Sequence, residues 1–297
     1  MNGAVVVIGV FDGVHRGHRA LIDRARAAHA GAHVIAVTFD PHPARVLAPE
    51  RAPAQLLTLA ERCAELQHAG VSRTVIVPFT PEFSQWPAER FVDDVLVPLQ
   101  PQHVCVGKNF RFGHGAHGDV STLSQLGGER GFTVDAVDLV GDEAAWSSTR
   151  IRELIVRGDV AGAAVILGRP HRVRGPVVHG DARGRELGYP TANIDIDTTA
   201  CVPADGVYAG RLTWLATGAQ FDAAVSIGTN PQFGGTQRRI EAYALDATAS
   251  LDLYGQEVQL EFIDRIRGQQ VYPDVPTLMA ALADDVATVR SVCAAQR

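Results

Sequence analysis

The chain has 297 residues, of which 46% are hydrophobic and 20% charged, a composition typical of a soluble globular protein with about two domains. The formal net charge of −6 excludes a general electrostatic attraction to nucleic acid, so any site for a polyanion must be local. The four cysteines are scattered and no run of 18 apolar residues occurs. These features disfavour a zinc site, a signal peptide and a membrane helix, and they favour a cytoplasmic protein.

The first half of the chain alternates short apolar runs with helical patterns. We predict strands at 5–10, 33–39, 74–79, 103–107 and 133–140, and helices at 19–29, 56–69, 88–97, 120–130 and 149–157. Alternation of this kind is typical of βαβ units, so the predicted fold is α/β with a doubly wound, mainly parallel sheet. Ligands of such sheets bind at the carboxyl ends of the strands.

The turn after the first predicted strand reads G-V-F-D-G-V-H-R-G-H, from Gly9 to His18. A strand, a glycine-bearing turn and a helix start form a natural phosphate site, because the helix N-terminus offers unpaired N–H groups and a partial positive charge. His15 and His18 can donate hydrogen bonds to phosphate oxygens. The alternative is a pair of surface histidines beside a tight turn, which the flanking strand and helix make less attractive. This turn from Gly9 to His18, hereafter the histidine turn, therefore predicts a site for a nucleoside triphosphate.

The second predicted strand ends in T-F-D-P-H-P, at 38–43. Proline stops a strand and rigidifies the turn that follows. Asp40 and His42 are therefore expected at the same sheet edge as the histidine turn, although a simple strand-terminating turn remains the alternative.

The loop after the fourth predicted strand reads G-K-N-F-R-F-G, at 107–113. Asn109 can bond a phosphate, a base edge or a hydrated metal ion, and Lys108 and Arg111 can supply positive charge. Phe110 and Phe112 can support a flat ring. The alternative is a loop pinned by two buried phenylalanines.

The run at 113–118 matches G-x-G-x-x-G, the pattern of a dinucleotide-binding turn. That pattern should open directly from the first strand, whereas this run begins several residues after the fourth. We therefore interpret it as a glycine-rich loop.

A predicted helix begins in W-S-S-T-R-I-R, at 146–152. Ser147 or Ser148 is a good N-cap. Capping needs one hydroxyl, however, and Arg150 and Arg152 add two guanidinium groups suited to bidentate phosphate contacts. A phosphate site is the favoured interpretation.

The pattern changes near Gly168, where we predict the domain boundary, with domains at 1–168 and 169–297. Before it, 151–167 reads as two helices joined at 158–159. After it, strands are predicted at 173–179, 206–214, 222–227, 239–245 and 257–267, followed by a closing helix at 276–295. Several short strands with regular turns indicate a small antiparallel β-barrel with a C-terminal helix.

The run at 175–193, G-P-V-V-H-G-D-A-R-G-R-E-L-G-Y-P-T-A-N, carries glycines that let the backbone wrap a ligand, beside Arg183 and Arg185. The chain has no G-x-x-x-x-G-K-[ST] loop, so a kinase here would not be of that type. Thr191 and Asn193 are hard oxygen donors two residues apart. On an extended segment they share a face and could hold one Mg²⁺ with ATP phosphates.

Glu241 lies in apolar, extended sequence that follows a turn-rich loop at 230–236. A carboxylate in such a place needs a purpose or a partner. It is either functional or the partner of a structural salt bridge with Arg238 or Arg239.

Taken together, these motifs resemble the bacterial bifunctional riboflavin kinase/FMN adenylyltransferases, or FAD synthetases, across nearly the whole chain. G-x-F-D-G-x-H-x-G-H, F-D-P-H-P, N-F-x-F-G and S-S-T-x-I-R match the adenylyltransferase half, and H-x-G-H alone is shared with many nucleotidylyltransferases. G-R-x-L-G-x-P-T-A-N, S-I-G-x-N-P-x-F and the later glutamate match the kinase half. The resemblance implies phosphorylation of riboflavin to FMN, then adenylylation of FMN to FAD with release of pyrophosphate.

The resemblance also implies residue roles. Glu241 would be the general base of the kinase, with Mg²⁺ on Thr191 and Asn193. His15, His18 and Arg150 would stabilise charge during adenylyl transfer. The implied ATP- and phosphate-binding residues are Gly9, Phe11, Asp12, Gly17, Asn109, Ser147, Ser148, Thr149, Arg152, Gly175, Gly180, Arg183 and Gly188.

The chain departs from the family pattern at His171, where an aromatic residue is common, and at 270–272, where Q-V-Y replaces a more usual Lys-Phe. The expected partners are riboflavin, FMN and ATP, without nucleic acid or membrane, in a monomer or weak homo-oligomer. Two other functions are weighed: a single-activity nucleotidylyltransferase with an inert C-terminal module, and a flavin-binding protein without catalysis.

Overall fold

The chain folds into two compact units, Met1–Ser148 and Thr149–Arg297, in the computed structural model. The structure describes residues 3–28, 31, 33–138, 141, 145–180, 188–229, 238–247 and 251–296. None of the helices among these residues combines the length and the apolar character that a bilayer crossing requires.

The first unit contains a five-stranded parallel sheet in the order β3-β2-β1-β4-β5, which confirms the predicted doubly wound sheet. Its strands are β1 (Ala4–Ile8), β2 (His33–Asp40), β3 (Arg73–Pro78), β4 (Pro101–Gly107) and β5 (Thr133–Val137), and its helices are α1 (Arg16–Ala28), α2 (Pro43–Leu47), α3 (Leu59–His68), α4 (Ala88–Phe91) and α5 (Val120–Arg130). The strand order reverses between β1 and β4, and ligands of doubly wound sheets bind at such a reversal.

The central strand β1 is buried on both faces. Val5 and Val7 pack into one core with α1 and α3 residues such as Ile22 and Leu66. Val6 and Ile8 pack into the other core, on the opposite face of the sheet. This burial explains the unbroken apolar run, because a strand covered on both sides has no polar face.

Several element boundaries differ from the prediction. The helix predicted from 19 begins at Arg16, and the Arg19 N–H donates to the His15 carbonyl at 3.0 Å. The helix predicted from 56 begins at Leu59, because Thr58 caps it in a reciprocal capping box with Glu61.

The helix predicted at 88–97 is not continuous. α4 ends at Phe91, and a π-helical turn at Val92–Leu96 and a 3₁₀ turn at Val97–Leu99 follow it. Pro98 lacks an N–H group and therefore cannot continue the helical hydrogen bonding. α2 was not predicted.

The second unit contains a closed barrel of antiparallel strands in the order β10-β7-β6-β11-β8-β9. The strands are β6 (His171–Val178), β7 (Ala192–Ile194), β8 (Gly206–Trp214), β9 (Gln220–Gly228), β10 (Arg239–Ala244) and β11 (Glu257–Arg267), and the helices are α6 (Ser148–Arg157), α7 (Val160–Leu167) and α8 (Val275–Ala295). The predicted barrel, its closing helix and the helix pair before it are confirmed, whereas β7 was not predicted as a strand.

The barrel separates an apolar interior from an outer face. Tyr208, Ile227 and Phe262 fill the interior. Outside, α8 packs Val289 and Cys293 against the strands, in a small second core. Side chains that alternate with the interior residues therefore lie on the outer face, where polar groups are available for chemistry.

Candidate active sites

The turn between β1 and α1 has a strained backbone. Phe11 has φ of 54° and Val14 has φ of 39°, while Gly13 between them has φ of 86°. Positive φ is unfavourable for residues other than glycine and worst for β-branched ones such as valine. Strain of this kind persists only where the surrounding structure fixes the conformation.

Hydrogen bonds from two directions fix this turn. The Asp12 carboxylate accepts the N–H groups of Leu56 at 3.1 Å and Leu57 at 3.3 Å. The Ser148 hydroxyl donates to the Asp12 carbonyl at 2.7 Å. Phe11 is buried, and a side chain at Gly9 would lie 3.2 Å from its ring. Asp12, Phe11 and Gly9 thus shape the turn.

The turn brings its two histidines together. The rings of His15 and His18 stack with centroids 3.7 Å apart, and Phe11 meets His18 edge-on at 5.2 Å. The Gly17 N–H donates to Nδ1 of His15 at 3.1 Å, so neutral His15 carries its proton on Nε2. Within the described residues, Nδ1 of His18 is buried without a hydrogen-bond partner. A phosphate oxygen could satisfy a proton on that atom.

His18 is neutral at physiological pH in this arrangement. Burial lowers its pKa well below 6.5, and the adjacent His15 lowers it further. An anion bound beside the pair would oppose both effects, because negative charge favours the imidazolium form.

The depressed pKa of His18 makes stability depend on pH. The unfolded chain binds a proton at His18 near the ordinary value, whereas the folded chain does so only at lower pH. The folded state therefore loses stability as the pH falls from about 6.5 through the folded-state pKa.

We expect His18→Gln to reduce the slope of the free energy of unfolding against pH in this range, measured by urea unfolding of the first unit between about pH 7.5 and 5.5. His33→Gln, at an exposed histidine of β2, is the control. Equal slopes for His18→Gln and the unsubstituted chain would contradict the assignment.

The loops after β2 and β4 lie at the same sheet edge as the turn, which was predicted for the loop after β2. His42 caps α2, accepting the Ala44 N–H on Nδ1 at 3.1 Å. Asn109 is exposed in the turn after β4, and Lys108 pairs with Asp138 at 2.5 Å. Phe112 is buried, and Phe110 stacks on it with centroids 5.3 Å apart. The two phenylalanines therefore pin the loop.

The residues of the predicted S-S-T-x-I-R motif are divided between the two compact units. Ser147 precedes α6, and Ser148 holds the histidine turn as described above. Thr149, Arg150 and Arg152 lie in the first turns of α6 and belong to the second unit.

Two further residues lie beside the turn: Arg62, which sequence reasoning missed, and Thr38, which lies in the T-F-D-P-H-P run but was given no role there. Arg62 of α3 is buried and donates to the Val10 carbonyl at 2.9 Å. The Thr38 hydroxyl donates to the same carbonyl at 3.0 Å. Both side chains therefore act on the residue that precedes the strained turn.

The barrel places three polar residues side by side across neighbouring strands. Glu241 of β10 pairs with Asn193 of β7 on one side and with Ser226 of β9 on the other. Residues paired across antiparallel strands have Cβ atoms about 5 Å apart on one face. The adjacent residues Ile240 and Ile194 pack in the barrel interior, and side chains alternate along a strand. The row of Asn193, Glu241 and Ser226, hereafter the barrel row, therefore lies on the outer face.

The Asn193 amide is positioned for a ligand. Within the described part of the chain, its Oδ1 is buried without a hydrogen-bond partner. Gly180 lies directly against it, and a Cβ there would be 2.2 Å from Nδ2. A buried carbonyl oxygen without a donor suits a hard cation, and the nearby Thr191 hydroxyl offers a second oxygen. These residues fit a Mg²⁺ site.

The other predicted residues of the barrel fall into two groups. Gly175 is buried in β6, where a Cβ would lie 1.8 Å from the Asp195 carbonyl oxygen, so strand packing requires glycine there. Gly188 is exposed with φ of 81°. Arg183 and Arg185 and the loop at 230–236 lie outside the described residues. Arg238, one of the two suggested partners of Glu241, forms an ion pair with Asp205 at 2.6 Å.

Gln269 was missed by sequence reasoning. Its side-chain amide donates to the Ser226 hydroxyl at 3.3 Å and to the Ile227 carbonyl at 2.9 Å. The segment after β11 is thus tied to the barrel row. His171 is buried and bonded to the Cys201 carbonyl at 2.7 Å, which makes it a core residue.

One other group of possible metal ligands lies on β4 and β5. Ligand atoms of His103, Cys105 and Asp135 lie within 4.8 Å of one another. Asp135 is already paired with Arg24 at 2.9 Å, and burial raises the pKa of Cys105 to about 11, which keeps its thiol protonated. We assign no metal to this group.

Comparisons with known proteins match both halves of the chain. One family model, described as FAD synthetase, matches residues 1–150, and another, described as riboflavin kinase, matches residues 167–293. A bifunctional riboflavin kinase/FMN adenylyltransferase from Escherichia coli (strain K12) is 35% identical over 293 residues, which are 97% of this chain and 92% of the relative. One from Pseudomonas fluorescens is 36% identical over 298 residues, which are 99% and 94% of the two chains.

A solved structure, described as a macrolide-efflux protein from Streptococcus pneumoniae, matches with a TM-score of 0.88 at 32% identity. The match covers 97% of this chain and 94% of that one.

Proposed function

This chain belongs to the family of bifunctional riboflavin kinase/FMN adenylyltransferases, and we propose that the histidine turn and the barrel row each carry one of the two reactions. The enzyme phosphorylates riboflavin to FMN with ATP, and it joins FMN to the adenylyl group of a second ATP to give FAD and pyrophosphate. The observation that supports this division is that paired histidines lie in the first unit, whereas a buried oxygen donor beside a glutamate lies in the second.

Adenylyl transfer is assigned to the histidine turn. An oxygen of the FMN phosphate attacks the α-phosphorus of ATP, and the bond from that phosphorus to the β-phosphate oxygen breaks, releasing pyrophosphate. The attacking oxygen is already anionic, so no base is required. The remaining requirement is to neutralise charge on the phosphates, and the Nε2–H of His15 and the ring of His18 can donate hydrogen bonds for this purpose. Arg150 and Asn109 remain proposed contacts.

Phosphorylation of riboflavin is assigned to the barrel row. Glu241 is the proposed base that orients the riboflavin hydroxyl and takes its proton as the oxygen attacks the γ-phosphorus of ATP. The bond from that phosphorus to the β-phosphate oxygen breaks, and ADP leaves. Thr191 and Asn193 are the proposed ligands of Mg²⁺, which when bound supplies positive charge to the ATP phosphates. In the first unit, the adenylylation site is proposed to be shaped by Gly9, Phe11 and Asp12, which contact ATP through their backbone.

We place the domain boundary between 168 and 169, close to the start of the riboflavin kinase match at 167. We propose a cytoplasmic enzyme that acts as a monomer or weak homo-oligomer and binds no nucleic acid.

Gly180→Ala tests the barrel assignment. The added methyl would displace the Asn193 amide, so we expect riboflavin phosphorylation to fall at least about tenfold while FMN adenylylation is unchanged. Gly128→Ala is the control, because no atom lies within 4 Å of a Cβ at that helical position. Separate assays with riboflavin and with FMN as substrate measure both activities. Unchanged phosphorylation in Gly180→Ala would contradict the role of Asn193.

The proposed function as a whole is tested with the full chain. Riboflavin, ATP and Mg²⁺ should give FMN and then FAD, resolved by chromatography over time. Chelation of the metal ion should stop FMN formation. A chain that converts supplied FMN to FAD but never phosphorylates riboflavin would contradict the assignment of a kinase to the barrel.

A further inference from the structure

Arg62 lies beside the histidine turn, although it belongs to none of the motifs that the sequence analysis singled out. Its side chain is 6% exposed, and its guanidinium group donates to the Val10 carbonyl at 2.9 Å and to the Phe39 carbonyl at 3.2 Å. Val10 follows β1, and Phe39 lies near the end of β2. The regular pairing of these two strands ends at Ile8 and Val37. Arg62 thus joins the two strand ends just beyond the last hydrogen bond of their backbones, from the Gly9 N–H to the Val37 carbonyl at 3.1 Å.

The position of Val10 sets the direction of the turn. Val10 immediately precedes Phe11, the first residue with positive φ. Its carbonyl accepts two hydrogen bonds, from Arg62 and from the Thr38 hydroxyl at 3.0 Å. A carbonyl held by two buried donors cannot rotate freely, so the strained conformation that follows is over-determined.

The charge of Arg62 also matters. Its nearest carboxylate is that of Asp40 at 3.4 Å, and the Asp40 side chain is 38% exposed. A buried cation is therefore held among carbonyl oxygens at the carboxyl ends of β1 and β2, the sheet edge where an anionic ligand binds. Lysine would keep the charge, but it lacks the planar fork that reaches two carbonyls at once.

We propose that Arg62 is a positioning residue for FMN adenylylation, acting through the carbonyl groups of Val10 and Phe39 to hold the histidine turn in its reactive conformation. The inference rests on the proposed assignment of adenylyl transfer to His15 and His18. Arg62 does not touch the reacting atoms. It fixes where the histidines lie, and small displacements of such groups reduce rates strongly.

The test compares Arg62→Lys with Arg130→Lys in the full chain. Arg130 is a matched control, because it forms an ion pair with Asp93 at 2.6 Å on the surface of the same unit. We expect Arg62→Lys to lower kcat for FMN adenylylation about 10- to 100-fold with a smaller change in KM, and to leave riboflavin phosphorylation unchanged. Arg130→Lys should leave both activities unchanged. Adenylylation by Arg62→Lys within about twofold of the unsubstituted chain would overturn the inference.

A spectroscopic measurement separates positioning from general stability. If the turn relaxes in Arg62→Lys, the pKa of His18 should rise toward its ordinary value, which NMR titration of the ring protons detects. Thr38→Val removes the other hydrogen bond to the Val10 carbonyl. Like Arg62→Lys, it should lower the rate of adenylylation and raise the pKa of His18, so the inference can be tested even if Arg62→Lys folds poorly. An unchanged pKa of His18 in both variants would overturn the inference.

A double-substitution cycle distinguishes an effect of Arg62 that acts through His18 from an effect that is independent of it. If Arg62 acts through the turn, Arg62→Lys combined with His18→Gln should be no slower than His18→Gln alone. Additive losses would overturn the inference but leave the histidine assignment standing. Full adenylylation by His18→Gln would overturn the proposed function and the inference together.

Discussion

His18→Gln is expected to lower the rate of FMN adenylylation strongly and to leave riboflavin phosphorylation intact. His18 stacks on His15 at 3.7 Å and presents a buried ring nitrogen that lacks a partner within the described residues. Glutamine keeps some hydrogen-bonding capacity but can never become a cation beside the phosphates. Loss of one such donor costs about 10²- to 10³-fold in kcat, and we expect a loss of this size.

The measurement is the initial rate of FAD formation from supplied FMN, with FMN formation from riboflavin assayed in parallel. His33→Gln, on the same sheet but exposed, should retain both rates. Retention of adenylylation by His18→Gln, or loss of both activities in a folded variant, would contradict the assignment.

Glu241→Gln is expected to have the opposite effect. Glu241 lies across the ladder from Asn193, so the proposed base and the proposed metal ligand share one face of the barrel. Glutamine fills nearly the same volume but cannot accept the riboflavin proton. General-base catalysis contributes about 10²- to 10⁴-fold, and riboflavin phosphorylation should fall by that factor.

FMN adenylylation by Glu241→Gln should remain normal. Glu261→Gln is the matched control, because Glu261 is a half-buried glutamate of the same barrel that accepts a hydrogen bond from Gln259 at 3.2 Å. Equal losses in Glu241→Gln and Glu261→Gln would indicate damage to the barrel rather than loss of a base.

The fold class was predictable because the spacing of apolar residues along the chain indicates which faces of a strand or helix are buried. The unbroken V-V-V-I run of β1 is covered on both faces, and the strand–helix alternation leads to a parallel sheet. Boundaries were less predictable, because tertiary contacts set them. α3 begins late because the N–H groups of Leu56 and Leu57 donate to Asp12, which lies more than 40 residues earlier.

The chemistry of the sites was predictable only where it is local in sequence. His15 and His18 lie three residues apart, so their pairing follows from one turn. The adjacency of Glu241 and Asn193 depends on the register of β7, a strand of three residues that carries little periodic signal. Arg62 is an ordinary charged residue in a helix pattern, and only the packing of α3 brings it to Val10.

Complementation tests whether two separate sites perform the two successive reactions. His18→Gln and Glu241→Gln should each convert riboflavin to FAD only slowly when alone, because one step is slowed about 10²-fold or more in each variant. An equimolar mixture of the two variants, supplied with riboflavin, ATP and Mg²⁺, should form FAD, since FMN released by the first variant is a substrate for the second. A mixture that forms no FAD although each variant keeps its remaining activity on supplied substrate, or a single substitution that abolishes both activities in a folded chain, would contradict the account.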